Sequence, residues 1–234
     1  MKSISKSFFV NTAAVVIMLS FAARLSLGQQ ADLAVQLKED RESTSRTVRG
    51  EPEPAAKIPA IPDVTVLDQN NHQLHFYRDL VQGKTVAINF IFTTCTTICS
   101  PLTANFARIQ KNMEAHGEKG LHLISVTVDP ENDTPERLAG YATLFHAQPG
   151  WTFVTGKRGD LQQIWKAFNI YMSSKTDHPP TVAIGNEKER VWVYASGLIS
   201  SDKLVGAITP LLGKGTQTSP SSAQAARGQG DDPR

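Results

Sequence analysis

The chain's two cysteines, Cys95 and Cys99, stand four residues apart in Phe92-Thr93-Thr94-Cys95-Thr96-Thr97-Ile98-Cys99-Ser100-Pro101. Two thiols this close can close a small disulfide or offer two soft sulfur ligands to one metal ion. A purely structural staple is the plainest use. It would close so short a loop that it restrains the unfolded chain little, so its stabilisation is small. The thiolate is the reactive and ligating form, and an ordinary cysteine keeps its proton up to a pKa of about 8.5. Ser100-Pro101 reads as an N-cap followed by a proline at the first helical position. Cys99, just before that helix start, is therefore expected to feel the helix dipole most and to be the more acidic thiol.

A metal site needs a third donor, and histidine is the obvious one. Six are present. His72 and His75 lie in an expected hairpin, His116 ends a helix, His122 alternates with leucines in a strand, and His146 follows a helix. Each reads more simply as structural. His178 differs, because it sits in Lys175-Thr176-Asp177-His178-Pro179-Pro180, a loop whose path two prolines fix just before a strand. If that strand lies beside the one leading to Cys95, His178 arrives near the cysteine loop.

The elements that must position these groups follow from periodicity. Val64–Leu67 and Gln73–Phe76 flank Asp68-Gln69-Asn70-Asn71 and read as a hairpin. Thr85–Phe92 is apolar on both faces, as a central strand requires. A helix follows to about Ala115, then a second central strand from Leu121 to Val128. Thr134-Pro135 opens a helix to about Phe145. Trp151–Val154 is a short strand, and Gly159–Phe168 a helix with Leu161, Ile164, Trp165 and Phe168 on one face. Thr181–Ile184 and Val191–Tyr194 form a second hairpin, and Ser201-Asp202 caps a last helix through Leu212. Alternation of strands and helices predicts an α/β domain with a mixed sheet. Cys95 falls at the carboxyl end of a strand, where such sheets place ligands.

The ends of the chain read differently. Lys2 and Lys6 precede an apolar run from Phe8 to Ala23, and Ser26 and Gly28 supply small residues for cleavage, so residues 1–28 are expected to be an export signal. An uncleaved membrane anchor is the alternative, although the run falls short of the ~20 residues a spanning helix needs. Residues 29–60 read as a flexible linker, 61–213 as the folded domain, and 214–234 as a disordered tail. The formal charge is +2, and loss of Lys2, Lys6 and Arg24 with the signal leaves −1. No basic run suggests nucleic acid or an anionic membrane surface, so neither is expected as a partner. Export would place the cysteines where disulfides persist, in the periplasm or cell envelope.

Four segments in order carry a family resemblance. They are Phe90-Ile91-Phe92-Thr93-Thr94-Cys95-Thr96-Thr97-Ile98-Cys99, then Ser125-Val126-Thr127-Val128-Asp129-Pro130-Glu131-Asn132-Asp133-Thr134-Pro135, then Trp151-Thr152-Phe153-Val154-Thr155-Gly156, and last Asp177-His178. Together they resemble the Sco/SenC family of thioredoxin-like copper proteins over about Ile61 to Leu212. The resemblance implies a thioredoxin-like fold, with a mixed sheet flanked by helices and an N-terminal β-hairpin. It implies copper ligands at Cys95, Cys99 and His178, and a Cys95–Cys99 disulfide in the oxidised form. Asp177 is expected to orient the His178 imidazole. Asp129 resembles a family position near the site, and bonding turn amides is an equal account of it. The chain departs from the family in its Thr96-Thr97-Ile98 spacer, which lacks the usual acidic residue and prolines. Pro179-Pro180 stands where Ser or Thr is commoner. Pro180-Thr181 is similar to the proline beside the cysteines of thioredoxins.

Two functions follow as expectations. One is a copper metallochaperone, holding Cu(I) or also Cu(II) and passing it to a copper-accepting protein such as a cytochrome c oxidase subunit. The other is a thiol–disulfide oxidoreductase, in which Cys95 and Cys99 exchange with the disulfide of a partner protein. A peroxidase is a weaker third.

Overall fold

The computed structural model describes residues 32–39, 41–42, 50–117 and 120–212. The expected export signal and C-terminal tail lie outside the described residues. Two units are distinguished, Met1–Arg49 and Gly50–Arg234. In the first, residues 32–39 and 41–42 are helical, within the stretch that composition reads as a flexible linker. No helix among the described residues is long and apolar enough to cross a membrane.

The second unit is built on one eight-stranded mixed sheet of order β1-β8-β7-β4-β5-β6-β2-β3. Its strands are β1 (Glu53–Pro54), β2 (Thr65–Asp68), β3 (Gln73–His75), β4 (Thr85–Ile91), β5 (Leu121–Thr127), β6 (Trp151–Thr155), β7 (Thr181–Asn186) and β8 (Val191–Ser196). Strands β4, β5 and β6 are parallel, and β7 runs antiparallel to β4. Every residue of β4 is buried, as its unbroken apolar run predicts.

Four helices cover the sheet: α1 (Cys99–Ala115), α2 (Pro135–Leu144), α3 (Arg158–Ala167) and α4 (Ser201–Ile208). Helix α1 buries Leu102, Phe106, Ile109 and Met113, spaced one helical turn apart. Phe106 meets Trp151, which stacks on Phe153. On the other side of β4, Phe90 meets Phe168 and Phe168 meets Trp192. Gly197 lets α1 approach β7: a Cβ there would stand 2.8 Å from Leu102 and 2.9 Å from Val182. Thr134 caps α2 by accepting the Arg137 N–H, with Pro135 at its first position, as its sequence predicts.

One boundary is corrected. The linker expected to run to Ala60 already belongs to the sheet at Gly50, whose carbonyl accepts the Ser196 N–H at 2.8 Å. Glu53 pairs with Tyr194 and Pro54 with Val193. An edge strand held by backbone bonds needs no apolar pattern, and an edge is where proline is tolerated, so composition conceals this strand. Gly50 has φ +65°, and a Cβ would overlap that of Ser196.

Candidate metal centre

Strand β4 ends at Ile91, and the chain turns back at once: the Cys95 N–H donates to the Phe92 carbonyl at 3.2 Å. Helix α1 then starts at Cys99, one residue before the expected cap. Ser100 is inside the helix, and Ile98 precedes it without a side-chain cap. The Cys95 sulfur takes that role, accepting the Cys99 N–H at 3.4 Å with Thr97 Oγ1 at 3.6 Å. Pro101 is tolerated because first-turn N–H groups have no helical partner to lose.

This geometry reverses the expected acidities. Burial pushes the Cys95 thiol up, but hydrogen bonds from the Cys99 thiol and from the Thr97 and Cys99 backbone outweigh it, leaving it below the ordinary thiol value. Burial pushes the Cys99 thiol far up, and its hydrogen bond to Cys95 adds to this. The helix N-terminus therefore serves the cysteine outside the helix, while Cys99 faces the core. Both thiols are free, so the Cys95–Cys99 disulfide is not formed in this structure.

The histidine arrives by the route its loop suggests. Because Asn89 of β4 pairs with Val182 of β7, the residues just before Thr181 lie against the carboxyl end of β4. His178 is buried, with Nε2 3.8 Å from Cys99 Sγ across 79 residues of chain. Its Nδ1 faces the Pro179 carbonyl at 3.2 Å. Burial lowers its pKa, and the Pro179 carbonyl offsets part of that. Among the described residues no three thiol, imidazole or carboxyl groups already form a metal cage. Cys99 meets both His178 and the Cys95 sulfur, and that sulfur also accepts from the helix N-terminus.

Asp177 is corrected. It is exposed and accepts from Thr176 Oγ1 at 3.3 Å, while the ring nitrogen it was expected to hold faces a backbone carbonyl. Asp129 is buried at the end of β5, but its carboxylate binds the side chains of Asn132 and Lys175 rather than turn amides. Burial alone would raise its pKa, and these two donors bring it below the ordinary value.

Asp133 escapes sequence reading as a site residue. Fully buried, it accepts from the Thr93 N–H at 3.2 Å and from the hydroxyls of Thr93 and Thr127 at 2.5 Å each. It ties the cysteine loop to β5. Beside Thr134-Pro135 its only sequence signal is that of a helix start. Elsewhere, His72 pairs with Asp68 at 3.1 Å and His116 with the Asn112 carbonyl at 2.8 Å, in keeping with structural roles.

The SCO1/SenC family model matches residues 61–210. The chain belongs to the SCO1/SenC family. Among relatives, the SCO1 protein homolog of Bacillus subtilis is 36% identical over 89 residues, covering 38% of this chain and 46% of the relative. The chain spans about half the length of the curated relatives it matches. Among solved structures, Arabidopsis thaliana ScoI with copper bound aligns with a TM-score of 0.57 at 16% identity, over 66% of this chain and 98% of that one. BsSco is a member of the Sco family of cytochrome c oxidase assembly proteins in which a disulfide switch has been identified. It aligns with a TM-score of 0.56 at 24% identity, over 66% and 96%. At these identities the structural likeness establishes the thioredoxin-like fold of this SCO1/SenC domain.

Proposed function

We propose that this chain is a copper metallochaperone of the cell envelope. It would hold one copper ion through Cys95, Cys99 and His178 and pass it by ligand exchange to a copper-accepting protein. The observation that carries this reading is the 3.8 Å approach of His178 Nε2 to Cys99 Sγ, beside a second thiol of lowered pKa. Two thiolates and an imidazole suit Cu(I), and hold Cu(II) when a weak further ligand is added. Binding releases the thiol protons, because the ligating forms are deprotonated. Oxidation of the pair to a disulfide by exchange with a partner's disulfide, which takes up the two electrons and two protons, would remove both sulfur ligands and gate binding.

The copper-bound Arabidopsis ScoI and the oxidase-assembly role of BsSco support the cargo and the class of recipient. A cytochrome c oxidase subunit with a dinuclear copper site is the recipient we infer. The N-terminal residues 1–28 support export, with cleavage or anchoring at the inner membrane as the two fates.

The lowered Cys95 pKa also favours thiol–disulfide exchange, with Cys95 attacking a partner's disulfide and Cys99 resolving the mixed disulfide. One experiment separates the two. Reduced protein is titrated with Cu(I) against a competing chelator, beside His178→Ala. Loss of the imidazole is expected to cost more than the ~10–100-fold that outer-shell partners of metal sites are worth. A variant that binds as tightly and still reduces a model disulfide would overturn the copper reading in favour of exchange.

A further inference from the structure

The only side-chain polar contact of the His178 ring among the described residues is with Cys99, since its Nδ1 meets a carbonyl of its own loop. The hydrogen bonds of residues 174–177 are made largely within the turn: Ser174 with Thr176, and the Asp177 N–H with the Ser174 carbonyl at 2.9 Å. Lys175 is the exception. Its Nζ donates to Asp129 Oδ2 at 2.5 Å, across 46 residues of chain. The same ammonium stands 5.3 Å from the centre of the Phe92 ring, and that ring makes a T-shaped contact with His178 at 5.9 Å.

The two ends of this bridge are unequal. Asp129 is 4% exposed and fixed by Asn132 Nδ2, 3.0 Å from each of its oxygens, whereas the Lys175 side chain is 37% exposed. The anchor is rigid and the strap is reachable by water. Phe92, between them, also supplies the carbonyl that turns the chain towards Cys95. Lys175 thus contacts the acid at the end of β5 and the ring that packs on His178, in the residue whose carbonyl turns the chain to Cys95. A cation over an aromatic face is attracted to it, so both of its contacts pull the histidine loop the same way.

We propose that Lys175 is a positioning residue for the metal-binding set. Its ion pair with Asp129 and its seat over Phe92 hold the His178 loop closed on the cysteine pair. This rests on the copper reading above. An ion pair that merely neutralised the buried acid would leave the imidazole indifferent to its loss.

The test uses the reduced full chain as wild type, Lys175→Ala, Lys175→Arg, His178→Ala and the double variant Lys175→Ala/His178→Ala. Each is titrated with Cu(I) against a chromogenic chelator. Lys175→Ala is expected to weaken binding about tenfold, as for other groups that orient a metal ligand, and Lys175→Arg to recover most of it. In the His178→Ala background Lys175→Ala should add nothing, because the ligand it positions is gone. Without copper, the nuclear Overhauser contact between the Phe92 and His178 rings should disappear in Lys175→Ala and persist in Lys175→Arg. An equal loss in both backgrounds would overturn the proposal, as would wild-type affinity with the ring contact intact. If His178→Ala itself binds like wild type, the copper reading falls, and the ring contact alone then decides whether Lys175 positions the imidazole.

Discussion

The two loops that meet at this centre are anchored by different physics. The cysteine loop is tied by Asp133, a fully buried carboxyl group that takes one backbone N–H and two hydroxyls. The histidine loop is tied by Lys175, whose side chain is open to water. Buried hydrogen bonds resist solvent competition, while a half-exposed ion pair is screened by salt and water. The contrast assigns the sulfurs to the rigid body of the domain and the imidazole to its adjustable side. Under the proposed copper-carrier role, one fixed pair of donors and one movable donor would serve both holding and release of cargo.

Breaking the rigid side should have the largest effect. Asp133→Ala strands the Thr93 N–H and the Thr127 hydroxyl, the latter fully buried. Unmet buried polar groups cost about 1–3 kcal/mol each, so the expected loss is about 2–4 kcal/mol, read from urea denaturation of the copper-free protein. A loss under about 1 kcal/mol would place the cysteine loop in the class of surface ion pairs and dissolve the contrast.

Within the cysteine loop the two thiols should differ in reactivity. Cys95 has the lowered pKa, whereas Cys99 is completely buried and pushed far up. Iodoacetamide should label Cys95 first, with a pH midpoint below the usual thiol range, and leave Cys99 unmodified on the same time scale. Mass-spectrometric mapping of the first adduct checks this. Labelling of Cys99 first would mean that the loop opens and that its anchor is weaker than the buried geometry implies.

The α1 helix shows how far the sequence carried such detail. Its existence was legible from the Ser100-Pro101 start signal and its end was expected near Ala115, whereas its buried face of Leu102, Phe106, Ile109 and Met113 is a finding of the structure. The one-residue difference at its start was not legible, and it inverted the two thiols. Ser100-Pro101 is a sound cap signal, but a cysteine sulfur can accept an N–H too, and capping preferences learned from hydroxyl and carboxamide side chains do not anticipate it. His178 was legible because its loop precedes a strand that pairs with β4. Asp177, its neighbour in sequence, points to solvent, since adjacent residues in a turn seldom share a direction. Lys175 and Asp133 were hidden for another reason: each acts across about 40 residues of chain, through a contact only the folded sheet creates. The edge strand at Glu53 was hidden because backbone pairing leaves no side-chain pattern.

The smallest effect expected is a pH dependence that reports how well the histidine loop keeps its imidazole buried. Burial holds His178 below its ordinary pKa of 6.5, so the folded chain resists a proton that the unfolded chain accepts. Stability rises with pH wherever the unfolded state binds more protons. The contribution of His178 is therefore complete above about pH 6.5 and is lost as pH falls through the folded value. His122 is also lowered, by burial and by Lys84, and acts in the same direction. The quantity to measure is the difference between wild type and His178→Asn in copper-free urea denaturation across that window, which cancels His122. Asp129 and the other lowered carboxylates do not confuse the reading, because their stabilising effect fades only as pH approaches and falls below the ordinary carboxyl range. The gap between wild type and His178→Asn should narrow or change sign as pH falls below 6.5. A difference independent of pH would mean that the imidazole takes up its proton while the chain stays folded, by swinging away from Cys99. The histidine loop would then be looser than its ion pair to Asp129 implies, and the adjustable side of the centre would already be open at rest.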